Sequence, residues 1–152
     1  QQSYQESKTY ESGQSAKIAK LKVNGKYYKI GMTICYDLRF PHLFRDLALN
    51  GADLITVPSV FMHITGKDHW HSLLKARAIE TGCYIVAPAQ YGEYFNKRKS
   101  YGHSLIVSPW GKILKDAKTE KNIIIAAIDK HQIEIARSKI PSLFINKKYK
   151  IE

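Results

Sequence analysis

A layered α/β fold with a mixed sheet is the architecture this sequence predicts, and three observations predict it. Short apolar or alternating runs of strand length recur along the chain. Two longer segments with helical spacing separate the first of them, giving the order β-α-β-α-β. Hairpin-type turns then follow in the second half. The 152 residues suffice for one domain with a real core, and 44% hydrophobic with 24% charged residues is a globular composition. No repeat, low-complexity tract or internal boundary divides the chain.

Residues 1–16 are polar and read as a loop. Residues 17–23 alternate apolar and polar, as a half-buried strand does. Asn24-Gly25 is a strong two-residue hairpin signal, so the next strand pairs back from about Tyr27 to Tyr36. Pro41 opens a helix at the position where a missing N–H costs nothing. Leu43, Phe44 and Leu47 form its apolar stripe, and Asn50-Gly51 ends it. Residues 53–58 make a short buried strand. A second helix follows Gly66-Lys67-Asp68, with Trp70, Leu73, Leu74 and Ala78 on one face and Gly82 as its stop. Cys83 to Ala87 is another buried strand, and residues 91–101 are a polar aromatic loop. Strands near 103–108 and 112–115 flank Ser108-Pro109-Trp110-Gly111, and one more spans Asn122 to Ile128. Asp129 with Gln132 has capping-box spacing for a last short helix. Residues 141–152 form a basic, irregular tail.

The formal charge of +11 comes mainly from scattered lysines, with small clusters at Lys97-Arg98-Lys99 and Lys147-Lys148-Lys150. No nucleic-acid-binding module accompanies them, so a solvated basic surface is expected and nucleic acid is not an expected partner. No apolar stretch reaches membrane-spanning length, and the polar N-terminus is no signal peptide. Two cysteines build no disulfide framework, which fits a reducing, cytoplasmic setting.

The chemistry centres on Cys35. A run of small and β-branched residues, Ile30 to Ile34, ends at this thiol and turns at once into Tyr36-Asp37-Leu38-Arg39-Phe40-Pro41. Two readings stand: a small buried hydrophobe, or a nucleophile. A thiol attacks as thiolate, with an unperturbed pKa of about 8.5, and needs a base or cation beside it. None of the six histidines has a context that marks it as that base. His69 and His71 diverge on a helix, and their spacing argues against a zinc site. Glu6 is a loop acid, and Glu80 is placed for a helix ion pair with Arg77. Cys83 lies in an apolar strand and reads as structural.

The order of short motifs adds a resemblance. Residues 29–41 resemble the nucleophile strand of the nitrilase, or carbon–nitrogen hydrolase, superfamily. Gly51-Ala52-Asp53, Pro58-Ser59-Val60-Phe61, Thr65-Gly66, His69-Trp70, Ala76-Arg77-Ala78-Ile79-Glu80, Tyr101-Gly102-His103-Ser104 and Pro109-Trp110-Gly111 follow in register. The branch most resembled is the deaminated-glutathione amidases, with the ω-amidases next. The resemblance implies a nitrilase-like α-β-β-α sandwich. It also implies hydrolysis of a linear amide in a small carboxylate-bearing substrate, without cofactor or metal, through a thioester on Cys35 and with release of ammonia. By the same resemblance the Tyr36 N–H forms part of an oxyanion hole and Glu6 is an accessory glutamate. Arg39, Phe61 and Thr65 contact substrate, and Glu80 is structural.

The family pattern also has a general-base glutamate and a lysine upstream of the segment matching Glu6, and these 152 residues hold no match for either. The expectation is therefore an incomplete sandwich: one partial domain over residues 1–152, the C-terminal half, inactive alone. It would be a split-gene half, a remnant or a trimmed chain, forming a homo-oligomer if complete. A missing base costs about 10² to 10⁴ in rate. The partner implied for the enzyme is the upstream half of the same enzyme; the alternative is a non-catalytic half-domain or remnant that acts as an interaction module with a partner chain.

Overall fold

The structure, a computed structural model, describes residues 10–94, 97–145 and 147–151. Strands β1 (Lys17–Val23) and β2 (Lys26–Met32) form an antiparallel hairpin. Asn24 (φ 49°) and Gly25 (φ 77°) turn it, both in the left-handed region that a two-residue hairpin with the sheet's own twist demands. The helix α1 (Pro41–Leu49), strand β3 (Leu54–Thr56), helix α2 (His63–Thr81) and strand β4 (Tyr84–Ala87) follow. Next come β5 (Tyr91–Glu93), β6 (Lys99–Tyr101), β7 (Leu105–Val107), β8 (Ile113–Asp116) and α3 (Lys130–Lys139). The main sheet has the order β1-β2-β3-β4-β7-β8. Its centre, β2-β3-β4, is parallel, and both flanks are antiparallel.

This is the mixed α/β layering expected. α1 and α2 cover one face, where Gly31, Ile55, Ile85 and Val107 are buried against Phe44, Leu47, Trp70 and Leu74. The order of elements explains the parallel centre: each helix is the crossover that lets the next strand run the same way. Asp53, buried at the start of β3, accepts from the Lys29 N–H (2.8 Å) and pairs with Lys130 (3.1 Å), tying β2 to the start of α3. A second large sheet, as in the four-layer sandwich, is not present among the described residues.

Several expectations are corrected. β1 is largely exposed, not half-buried, because it is the sheet's edge. β2 ends at Met32, so Cys35 lies past the strand, in a 3-10 turn spanning Cys35–Arg39. α2 begins at His63, ahead of Gly66, which is inside it. A Cβ on Gly66 would collide with Cβ and Cγ of Tyr101, so the glycine permits close packing and does not mark the helix start. Residues 91–101 are not simply a loop: β5 pairs with β6. Residues 122–128 form no strand. Their alternating exposure is strand-like, but no described strand edge is beside them to supply hydrogen bonds. α3 is capped by the Asp129 carboxylate, which accepts from the His131 N–H (3.0 Å). The tail begins with a 3-10 turn at Pro141–Phe144 whose Leu143 is buried in the core.

The Gly66–Tyr101 contact yields a direct expectation. Gly66→Ala should lower stability by about 1–3 kcal/mol, the usual range for overpacking, measured by urea denaturation. Helix propensity alone would make the same change stabilising.

Candidate active site

Cys35 is held by an extension of the parallel ladder beyond the formal strands. The Thr33 N–H and hydroxyl both donate to Thr56 O (3.1 and 2.8 Å), and the Cys35 N–H donates to Pro58 O (2.9 Å). At Cys35 the backbone enters the left-handed region (φ 44°). That conformation costs about 1–3 kcal/mol for a residue with a side chain. It breaks the strand and starts the 3-10 turn, the geometry that lifts a side chain off the end of a sheet. The Asp37 carboxylate fixes the corner by accepting from the Ile34 N–H (2.8 Å). Among the described residues the Tyr36 N–H has no acceptor.

The turn is anchored from below. Arg77, on α2 and 7% exposed, donates through Nε (3.0 Å) and Nη2 (2.9 Å) to the Leu38 carbonyl. Its Nη1 donates to Glu80 (2.9 Å), and its guanidinium lies over the Phe44 ring at 5.5 Å. The expected Arg77–Glu80 pair is therefore present. The sequence did not reveal its larger role, since Leu38 is 39 residues away.

Cys35 opens into a cavity of about 540 Å³ lined by Ile34, Pro58, Ser59, Val60, Pro88, Ala89, Gln90 and Ser104. Apart from Ser104, which immediately precedes the antiparallel β7, these residues follow the C-terminal ends of the parallel strands β2, β3 and β4, where open α/β sheets bind ligands. The described lining holds no carboxylate, lysine or histidine. Ser104 braces it by accepting from the Ala89 N–H (2.9 Å) and donating to Ala89 O (3.2 Å).

The other expected site residues are distributed as follows. Glu6 lies outside the described residues. Arg39, Phe61 and Thr65 do not line the Cys35 cavity. Arg39 stacks its guanidinium between Tyr36 (5.6 Å) and the buried Phe61 (5.3 Å), and its Nη1 is 3.4 Å from His69 Nδ1. The Thr65 hydroxyl donates to Met62 O (3.4 Å). Cys83 is fully buried, as expected, but has polar neighbours: its Sγ donates to Ala52 O (3.1 Å) and receives Arg137 Nη2 (3.1 Å). Burial pushes this thiol up, against the lowering pull of the Arg137 guanidinium.

Sequence spacing missed a second polar cluster. His71 on α2, His103 before β7 and Asp116 at the end of β8 converge. Burial would raise the Asp116 carboxyl, but the Lys118 N–H and the His103 and His71 rings outweigh it and hold it below the ordinary carboxylate range. Only the folded chain brings these three together, so His69–His71 spacing carried no signal of it.

A thiol raised on a strained turn at the C-terminal edge of a mixed sheet, over an open cavity, defines a nitrilase-fold α/β protein. Nit3 of Saccharomyces cerevisiae, a member of the nitrilase superfamily, superimposes with a TM-score of 0.80 at 36% identity, covering 90% of this chain and 49% of that one. The chain belongs to the carbon–nitrogen hydrolase family, whose model matches residues 1–138. It is 44% identical over 140 residues to the deaminated glutathione amidase of Synechocystis sp., covering 92% of this chain and 51% of the relative. The corresponding human amidase is 48% identical over 113 residues, 74% of this chain and 35% of the relative. This chain thus spans about half the length of such relatives or less. An amidase mutant from Nesterenkonia sp. AN1, with the acetamide moiety of fluoroacetamide added covalently at its active-site cysteine, matches with a TM-score of 0.65 at 26% identity, over 79% of this chain and 44% of that one. No helix among the described residues is long and apolar enough to cross a membrane.

The Arg77 anchor gives a further expectation. Arg77→Met should cost about 1–3 kcal/mol by leaving the Leu38 carbonyl unpaired, and should speed labelling of Cys35 by a thiol reagent under native conditions. Arg77→Lys should not rescue either effect, since an ammonium cannot reproduce the planar fork.

Proposed function

We propose that this chain carries the nucleophile half of an amidase site: Cys35 attacks the carbonyl of a linear amide in a small carboxylate-bearing molecule. The amide C–N bond breaks, the nitrogen leaves as ammonia with a proton from the base, and water then hydrolyses the Cys35 thioester. The observation that carries this reading is the thiol on its strained turn beside the unpaired Tyr36 N–H, facing an open cavity. That N–H is free to stabilise the developing oxyanion. Arg39 is the partner for the substrate carboxylate, Phe61 and Thr65 shape the approach, and Glu6 is the accessory acid. Deaminated glutathione is the first substrate to try, because the relatives are named for it. Two free thiols and no disulfide fit a reducing, cytoplasmic compartment.

The described cavity lining contains no carboxylate or lysine, and the proposed reaction takes both from a segment that lies over the cavity. Exposed Met32, Ile34 and Val60 around Cys35 suit such a covering segment. They equally favour the second reading, a half-domain that docks a partner without turning over substrate.

Intact mass after incubation with deaminated glutathione separates these readings. An acyl adduct is expected on Cys35 only when a segment bearing the family's upstream glutamate and lysine is supplied, with ammonia released and the adduct lost in Cys35→Ala. The unaided chain should be slower by about 10² to 10⁴. Equal turnover without the added segment would overturn the dependence. No adduct in either case would leave the docking reading.

A further inference from the structure

We propose that His71, His103 and Asp116 form a divalent transition-metal site, of the kind that takes Zn²⁺, separate from the Cys35 cavity. His71 Nε2 lies 3.4 Å from Asp116 Oδ2, and His103 Nδ1 lies 3.0 and 3.1 Å from Asp116 Oδ1 and Oδ2. All three ligand atoms fall within 4.8 Å of one another. Zinc bonds of about 2.0–2.1 Å to imidazole and carboxylate set tetrahedral ligand–ligand edges near 3.3 Å. Two of the three edges are already close to that length, and the third, between the two imidazoles, lies within 4.8 Å.

The donor set suits the ion. Two imidazoles and one carboxylate are borderline ligands that favour zinc and its neighbours over calcium or magnesium, which prefer oxygen. The single carboxylate offsets half of the dication's charge. At 28%, 20% and 23% side-chain exposure for His71, His103 and Asp116, the site is shielded yet reachable, and a water can complete the fourth position.

The surroundings hold the donors in place. The Lys118 N–H donates to Asp116 Oδ1 (2.7 Å) and orients the carboxylate. The Tyr101 ring stacks on His103 (4.4 Å between centroids) and meets His71 edge-on (5.8 Å). Trp70, next to His71 on α2, donates Nε1–H to the His103 carbonyl (2.8 Å). Such fixing of ligands by their neighbours is what metal sites require. Binding needs the lone pairs at His71 Nε2 and His103 Nδ1. Each imidazole proton therefore sits on the opposite ring nitrogen or leaves to solvent. The ion ties α2 to the β7–β8 hairpin, one residue from Ser104 in the cavity wall.

The test is calorimetric titration of the tag-free, metal-stripped chain with Zn²⁺, with Co²⁺ absorption to report coordination. One equivalent should bind, Co²⁺ should give the intense visible bands of a low-coordinate site, and the melting temperature should rise with zinc concentration. His71→Asn, His103→Asn and Asp116→Asn should each weaken uptake at least tenfold. His71→Asn, on a partly exposed helix face, is the variant expected to keep native circular dichroism. Absence of saturable uptake, or uptake unchanged in folded His71→Asn, would overturn the site. Neither readout depends on turnover of an amide.

Discussion

The Arg77–Leu38 contact is the constraint on which the rest of the site depends. A turn that opens on a positive-φ cysteine stores strain, and a five-residue 3-10 turn has too few internal hydrogen bonds to hold itself. Arg77 supplies the missing restraint from another element, by gripping one turn carbonyl with two donors. A guanidinium this buried is costly unless its donors are satisfied. Here Leu38, Glu80 and the Phe44 ring share it, and the cost of burial becomes specificity of position. The Cys35 N–H to Pro58 O bond fixes the other side of the same turn. Together they fix the turn from both sides and hold Cys35 at the cavity.

α2 serves more than this turn. Its buried stripe runs Gly66, Trp70, Leu74, Arg77, Ala78 and Thr81, and each end does a different task. Gly66 lets Tyr101 approach, Trp70 holds the His103 carbonyl and packs at a tilt against Phe61, and Arg77 holds Leu38. One rigid rod therefore places the Cys35 turn, the Arg39–Phe61 stack and the His–Asp cluster relative to one another. That economy explains why the motifs read from the sequence at residues 65–66, 69–70 and 76–80 all fall on this helix.

Much of the fold was legible because its signals are local. Alternation at residues 17–23, Asn24-Gly25 and Pro41 each determine their own neighbourhood, and the structure follows them. What failed was decided at a distance. The start of α2 carries no capping side chain, so Gly66 looked like its boundary when Tyr101 is the reason for that glycine. The β5–β6 hairpin is polar and lacks an apolar period. Residues 122–128 have the period and lack the partner. For the site, the thiol was legible but the strand was carried too far, to Tyr36 and not Met32, whereas the Leu38 grip and the His71–His103–Asp116 cluster depend on contacts 13 to 45 residues apart.

Under the proposed function, the composition of the cavity wall calls for a cover. A thiolate mechanism gains from a water-poor site, where oxyanion donors act at low dielectric. Around Cys35 the described wall is apolar at Ile34, Pro58, Val60 and Pro88 and polar only at Ser59, Gln90, Ser104 and the backbone. Such a wall excludes water only when something lies over it, and Ile34 and Val60 stand exposed at its rim. The same surface that stabilises nothing while open becomes a dry, shaped pocket once covered. A covering segment that also carried a carboxylate and an amine would dry the site and activate the thiol in a single docking step, so closure and catalysis would be coupled by construction.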